Sequence, residues 1–268
     1  MNIDLLVGAR HVRVLVSDDG LAEAVRRYYA PALKETPRDP EVVLEVDSDG
    51  VRVVSGVPPK RWNVSPPAVQ LERALLDLLF ELHPEGPVLH AGCVIWQGLP
   101  IVFVAPSGSG KSSLSRAAVR TGALYLSDDL VILGLEAAYG FARAIRFSEL
   151  RAPIDAIPDY LKDTILDGYG RGSERGWHTP IWWQGGEVCR ALPLPQERVV
   201  VVTLSRGQDA ITPLTEVQRL VALHEAAIIK AGEYNGSLGT GPGFHLTWED
   251  PDAAFSLLKE QLSQNLNR

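Results

Sequence analysis

The sequence is poor in the features that mark several classes of protein. Its 268 residues include two cysteines, Cys93 and Cys189, which give neither a disulfide framework nor a zinc pattern and suit a reducing compartment. No apolar run approaches the roughly 18 residues of a membrane span. Residues 1–7 lack the basic stretch and apolar core of a signal peptide. We therefore expect a cytoplasmic protein without a membrane partner.

Basic charge is scarce as well. Lysine and arginine number 26 against 33 acidic residues, which gives a net charge of −7. Proteins that bind nucleic acids generally carry a basic face, so this balance argues against a nucleic-acid partner. The composition leaves a homo-oligomer open. The length suits one large domain or two small ones, with a core that needs no covalent staples.

The pattern of strands and helices predicts two parts. Residues 1–85 form a small α+β unit, with predicted strands at 11–17, 41–46 and 50–55 and helices at 21–30 and after Pro67. Residues 86–268 form an α/β domain in which strands alternate with helices. The strands predicted there lie at 88–96, 99–105, 123–126, 130–133 and 198–204.

Helix-capping residues and stretches rich in proline or glycine mark further elements within residues 86–268. Thr215 with Gln218 predicts a capping box at the start of a helix, and Asp250-Pro251 opens the last helix. The stretch 147–197, rich in proline, glycine and aromatic residues, is predicted to be a lid or substrate-facing excursion with a short helix around 155–166. Residues 232–243 are glycine-rich and are predicted to be a loop.

The strongest motif follows the predicted strand at 99–105. It is close to the phosphate-binding pattern of a glycine, four residues and Gly-Lys-Ser/Thr, with Ala105 in place of the first glycine. Such a loop wraps phosphates with backbone N–H groups, and the following helix start adds positive potential. Lys111 is expected to bridge the β- and γ-phosphates and Ser112 to ligate Mg²⁺. The predicted nucleotide-binding residues are Pro106, Ser107, Gly108, Ser109, Gly110, Lys111, Ser112 and Ser113.

Two aspartates follow the next predicted strand. One carboxylate of the pair Asp128-Asp129 is expected to hold Mg²⁺, and the other to accept a hydroxyl proton as general base. Adjacent side chains on a strand point to opposite faces, so both can face a nucleotide only across a local turn. His90, on the strand before the loop, is expected either to approach the phosphates or to orient an aspartate.

Together these features resemble the HPr kinase/phosphorylase catalytic domain and its wider family. The resemblance lies in Leu89-His90-Ala91, Pro106-Ser107-Gly108-Ser109-Gly110-Lys111-Ser112 and Ser127-Asp128-Asp129, and it extends weakly over 88–225. It implies an α/β fold similar to that of phosphoenolpyruvate carboxykinase, with a P-loop kinase core, and it implies ATP and Mg²⁺ as cofactors. It also implies three catalytic residues, with His90 and Lys111 at the phosphates and Asp128 as the base. Asp129 and Ser112 are then the residues expected at the metal.

The segment after the aspartates departs from the family pattern. Residues 141–149 lack the Glu-x-Arg-Gly-x-Gly stretch of the bifunctional enzymes, so the chain looks more like the divergent serine and peptide kinases. Arg143, Arg146 and Arg175 are candidate phosphate or substrate clamps, because a guanidinium suits a transferring phosphoryl group.

The acceptor itself is not identified by any motif. The prediction is a kinase that transfers a phosphate to a hydroxyl, most naturally a serine, of a peptide, protein or small molecule. The alternative is a regulatory P-loop NTPase or nucleotide-binding module that performs no phosphotransfer.

Overall fold

The structure is a computed structural model, and it describes most of the chain outside the 148–190 region. None of the helices it describes is long and apolar enough to cross a membrane. The described residues are 1–7, 10–29, 32–33, 39–47, 49–62, 67–82, 86–134, 137–140, 145–147, 177–179, 191–193, 199–229 and 241–266.

Groups of strands separate the helices that the structure describes. The helices are α1 (Asp19–Tyr28), α2 (Pro67–Leu82), α3 (Lys111–Arg120), α4 (Glu216–Ala226) and α5 (Pro251–Leu266). The strands are β1 (Asn2–Val7), β2 (Arg10–Val16), β3 (Val42–Asp47), β4 (Gly50–Ser55), β5 (Arg61–Trp62), β6 (Val88–Trp96), β7 (Leu99–Val104), β8 (Leu124–Ser127), β9 (Leu130–Leu133), β10 (Ala137–Gly140), β11 (Ile145–Phe147), β12 (Trp177–Thr179), β13 (Ala191–Pro193), β14 (Val200–Arg206), β15 (Ala210–Pro213), β16 (Ala227–Ile229) and β17 (Gly243–Trp248).

The chain divides into two compact units. The first comprises Met1–His83 with Phe141–Trp183, and the second comprises Pro84–Gly140 with Gln184–Arg268. The division at residue 85 into an N-terminal unit and a catalytic domain stays a prediction.

The first unit contains a sheet in the order β1-β2-β3-β4-β5. Buried residues, nearly all of them apolar, alternate with partly exposed residues along most of β1, β2 and β3, as expected for a sheet with one covered face. Asp18 caps α1 by accepting a hydrogen bond from the backbone N–H of Leu21. Strands β11 and β12 form a separate antiparallel pair in this unit.

The second unit contains a ten-stranded mixed sheet. Its order is β13-β10-β9-β6-β7-β14-β17-β15, with β8 and β16 also pairing with β6. Strands β7, β14 and β17 are parallel to one another, whereas β6 is antiparallel to β7. The carboxyl ends of the three parallel strands therefore meet at one edge, which is where open α/β sheets bind ligands.

Helices cover both faces of this sheet. Ala222 and Leu223 of α4 join one core cluster with Ala91 and Cys93 of β6. Gly92, between Ala91 and Cys93, faces α3 instead, because successive residues on a strand face opposite sides of the sheet. The protein is thus a mixed α/β protein.

Several of the predicted elements lie outside the described residues. The lid at 147–197 and the helix around 155–166 fall there, apart from β11, β12 and β13, and so does most of the glycine-rich loop at 232–243. The capping box is present as predicted: the Thr215 backbone N–H donates to Gln218 Oε1 over 2.8 Å, and the Gln218 N–H donates to Thr215 Oγ1 over 3.3 Å.

This capping box gives a direct test of the start of α4. Thr215→Ala removes the hydroxyl acceptor, so we expect a loss of about 1 kcal/mol in the free energy of unfolding. Thr215→Ser keeps the hydroxyl and should lose little. Urea unfolding of the three proteins measures the difference, and equal midpoints for Ala and Thr would show that the cap does not stabilise the helix.

Candidate functional site

The predicted phosphate loop connects β7 to α3. We call residues 105–110 the glycine loop. Gly108 and Gly110 adopt φ values of +84° and +100°, which L-residues with side chains rarely occupy, so the two glycines allow the chain to curl. Gly110 is the N-cap of α3 and offers no side-chain hydrogen bond. The first N–H groups of the helix therefore remain available to an anion.

Lys111 folds back over this loop. Its Nζ donates to the carbonyl oxygens of Ala105 at 2.7 Å and Pro106 at 3.3 Å. The residue is buried, and burial lowers the pKa of its ammonium group, while the charges of Asp129 and Asp128 oppose that effect. The cation is thus already held at the loop by two neutral acceptors, which an anionic phosphate oxygen can replace.

Gly92 lies where α3 packs against β6. A Cβ at this position would lie 2.9 Å from Ser115 Oγ and 3.7 Å from Lys111 Cβ. A side chain here would therefore require the Ser115 hydroxyl to move. Sequence reasoning did not single out Gly92, because nothing local marks a glycine within a strand as a packing contact.

Asp128 lies in a buried hydrogen-bonded position. The Ser112 hydroxyl donates to its Oδ2 over 3.1 Å, and the Tyr125 hydroxyl donates to its Oδ1 over 2.9 Å. Burial and the adjacent negative charge of Asp129 together raise the pKa of Asp128 to about 7, against the lowering effect of the two hydrogen bonds. Ser112 and Asp128 are thus in contact, whereas the sequence analysis grouped Ser112 with Asp129.

Asp129 has a different partner and is more open. Its Oδ1 lies 3.0 Å from His90 Nδ1, and both side chains are partly exposed, at 34% and 39%. Its carbonyl oxygen accepts a hydrogen bond from the Ala91 N–H. The chain bends between β8 and β9, and the adjacent aspartates take separate partners there. His90 therefore contacts an aspartate, which is one of the two positions considered for it.

Trp248 is a part of the site that sequence reasoning missed. Its indole N–H donates to the Ser109 carbonyl over 3.1 Å, and a Cβ on Gly110 would lie 1.8 Å from its Cζ2. The ring therefore packs directly on the glycine loop from the end of β17. The only local signal was a short alternating segment at 243–248, which gives no indication of its distant partner.

Three arginines, Arg143, Arg146 and Arg175, were predicted from the sequence as phosphate or substrate clamps. Arg143 and Arg175 lie outside the described residues. Arg146 lies on β11, which belongs to the first unit. Their proposed role as phosphate or substrate clamps stays a prediction.

Metal-binding potential at the site depends on oxygen donors. Within the described ranges there is no cluster of three or more histidine, cysteine, aspartate or glutamate side chains that could hold a metal ion. The Ser112 hydroxyl and the Asp128 carboxylate are nevertheless two hard oxygen donors in direct contact. That is the donor chemistry that Mg²⁺ prefers, with water and phosphate oxygens completing its shell.

Comparison with known proteins adds little to this geometry. No protein-family model matches the chain, and no curated protein is similar to it in sequence. One similar solved structure is the Hpr(Ser) kinase/phosphatase from Coxiella burnetii, at 11% sequence identity and a TM-score of 0.34. The match covers 67% of this chain and 95% of that chain. A structural similarity this weak gives no information about activity.

The packing of Trp248 predicts unequal effects at the two loop glycines. Gly108→Ala meets nothing within 4 Å, so it should cost only the positive φ, on the order of 1–2 kcal/mol. Gly110→Ala adds an overlap with the indole ring and should cost about 2 kcal/mol more. Urea unfolding measures both, and equal losses would contradict the contact between Trp248 and the loop.

The raised pKa of Asp128 predicts how the stability of the protein depends on pH. The unfolded side chain titrates near its ordinary pKa of about 3.9, and the folded one near 7. Between these values the folded protein holds a proton that the unfolded chain has lost. This contribution to the free energy of unfolding therefore falls as the pH rises, and it becomes constant above about pH 7.

Asp128→Asn removes that titration. Between pH 4 and pH 8, the free energy of unfolding of the variant should rise relative to that of the wild type, by on the order of 1–4 kcal/mol. Urea unfolding at a series of pH values measures the difference, with the exposed change Glu23→Gln as the charge-matched control. Parallel curves for wild type and Asp128→Asn would show that Asp128 is not held protonated in the fold.

Proposed function

We propose that the protein is an ATP- and Mg²⁺-dependent kinase that transfers the γ-phosphate to a hydroxyl group. The acceptor is a serine of a peptide or protein, or a small molecule with a hydroxyl. The observation that carries the proposal is the contact between Ser112, at the start of α3, and the buried Asp128. It lies beside a lysine folded over the glycine loop and a histidine–aspartate pair.

The loop and Lys111 supply the binding of the phosphates. Backbone N–H groups at the start of α3 and the ammonium group of Lys111 are positive donors at the same loop. A phosphate oxygen is a stronger acceptor for Lys111 than the carbonyl oxygens of Ala105 and Pro106, because its hydrogen bond is assisted by charge on both partners. The loop can therefore exchange two neutral contacts for one ionic contact when the nucleotide binds.

Ser112 and Asp128 are the residues that would hold Mg²⁺. The ion neutralises negative charge on the β- and γ-phosphates when it is bound. The pKa of about 7 at Asp128 means that its carboxylate is only partly ionised near neutral pH. A nearby cation favours the ionised form, so binding of the ion and loss of this proton are coupled.

The His90–Asp129 pair is suited to receive the proton of the acceptor. A general base must lie within hydrogen-bond reach of that hydroxyl, and Asp129 is more exposed than the enclosed Asp128. In the transfer, the acceptor oxygen bonds to the γ-phosphorus, the bond to the ADP oxygen breaks, and the hydroxyl proton moves to the Asp129 carboxylate. The sequence analysis gave the base to Asp128 and the metal to Asp129, and the contacts favour the reverse division.

Single-turnover transfer from γ-labelled ATP tests this proposal. The acceptors are purified proteins and peptides encoded by neighbouring genes, together with serine-containing small molecules. We expect Asp129→Asn to lower the transfer rate by about 10²–10⁴-fold while ATP still binds. Asp128→Asn and Lys111→Ala should instead weaken Mg²⁺-dependent binding of ATP. Asp39→Asn, an exposed change of equal charge in the first unit, is the control.

Three outcomes would argue against parts of the proposal. Normal transfer by Asp129→Asn with loss of transfer by Asp128→Asn at saturating ATP would restore the division of roles made from the sequence. Release of phosphate to water with every acceptor, or binding without turnover, would favour the regulatory NTPase or nucleotide-binding module. Unchanged ATP affinity in Lys111→Ala would remove the phosphate-loop interpretation.

A further inference from the structure

An arginine that the proposed function does not use lies at the edge of the sheet that carries the glycine loop. The guanidinium carbon of Arg206 lies 3.4 Å from the centre of the Trp248 ring. Arg206 itself is exposed to solvent. Among the residues that the structure describes, it forms no ion pair with an acidic side chain. A cation with this environment is available to an anionic ligand.

The sheet fixes where this arginine lies. Arg206 is the last residue of β14 and is in register with Trp248, the last residue of β17. Strand β14 is also parallel to β7, with Thr203 in register with Val104, the residue that precedes the glycine loop. The ends of β14 and β17 therefore extend past the start of the loop at the same edge of the sheet.

The backbone after Arg206 holds this arrangement in place. The N–H of Gly207 donates to the carbonyl oxygen of Trp248 over 3.1 Å. Gly207 has a φ of +150°, and a Cβ there would lie 2.8 Å from Thr247 Cγ2. The chain thus turns immediately after Arg206 and leaves its side chain against the indole ring.

Trp248 connects Arg206 to the glycine loop. The ring that stacks on the guanidinium also donates its N–H to Ser109 and packs on Gly110. Stacking on an aromatic ring restricts the long arginine side chain before any ligand binds. The entropy lost when the ligand orders the side chain is then smaller, which increases affinity.

We propose that Arg206 binds the phosphates of the nucleotide at the glycine loop, and that Trp248 positions it there. A guanidinium offers planar paired donors that match two phosphate oxygens, and it stays charged at every physiological pH. Lys111 supplies a point charge from one side of the loop, and Arg206 supplies a fork from the neighbouring strand end. The inference rests on the proposed function in one respect: it assumes that a nucleotide binds at the glycine loop.

Calorimetric titration with two probes tests the proposal. ATP with Mg²⁺ reports on the whole nucleotide site, and inorganic tripolyphosphate reports on phosphate contacts alone. We expect Arg206→Gln to weaken the binding of both probes by roughly tenfold or more, as for the loss of a hydrogen bond to a charged group. Arg206→Lys keeps the charge without the fork and should fall between the wild type and Arg206→Gln. Arg61→Gln, an exposed arginine in the first unit, is the matched control and should bind both probes normally.

Trp248→Phe tests the positioning role. The variant keeps an aromatic ring beneath Arg206 and loses the hydrogen bond to the Ser109 carbonyl. We expect weaker binding of tripolyphosphate than in the wild type and a smaller additional effect of Arg206→Gln in the double variant. Full additivity of the two changes would show that Trp248 does not act through Arg206.

The remaining outcomes separate this inference from the proposed function. If Lys111→Ala loses binding and Arg206→Gln binds both probes as tightly as the wild type, the inference is wrong and the phosphate loop stands. Loss of ATP affinity with normal tripolyphosphate affinity would place Arg206 against the nucleoside and also overturn it. Failure of the wild type to bind either probe would overturn the proposed function itself. If circular dichroism shows that Arg206→Gln is unfolded, the affinities of Arg206→Lys and the wild type for the two probes decide whether Arg206 binds phosphate.

Discussion

The burial of Asp128 against the first turn of α3 is the constraint on which the candidate site depends. A carboxylate enclosed in this way is costly unless its oxygens are hydrogen-bonded, and Ser112 and Tyr125 provide those bonds. Ser112 reaches it from the first turn of α3, a helix that packs on β6 at Gly92. Lys111, at the start of the same helix, folds over the glycine loop. The same packing of α3 therefore supports the hydrogen bond to Asp128 and the position of Lys111, and a shift of α3 would disturb both.

The parts of the site that could be predicted from the sequence are those whose signals are local. The glycine loop, the start of α3 and the adjacent aspartates each lie within a few residues of a strand or helix boundary that the pattern marks. The capping box at Thr215 is of the same kind. The contact of His90 with Asp129 was reached as one of two alternatives, because strand order alone does not say which neighbour a side chain meets.

What could not be predicted depends on contacts between distant parts of the chain. The hydrogen bond from Trp248 to Ser109 spans 139 positions, and the parallel pairing of β7, β14 and β17 has no signature in any one segment. The pairing of Ser112 with Asp128 rather than Asp129 depends on the bend after β8, whose direction composition does not specify. No signal in the sequence assigned Arg206 a role at the site, since its stacking partner follows it by more than forty residues.

Charge balance explains why these groups can lie together in a folded protein. Burial lowers the pKa of Lys111 and raises the pKa of Asp128, so both groups are pushed towards their neutral forms and the cost of enclosing them is reduced. A polyphosphate would favour the charged lysine, and a metal ion would favour the charged aspartate. Each ligand would therefore oppose the effect of burial on the group that binds it, the polyphosphate at Lys111 and the metal ion at Asp128.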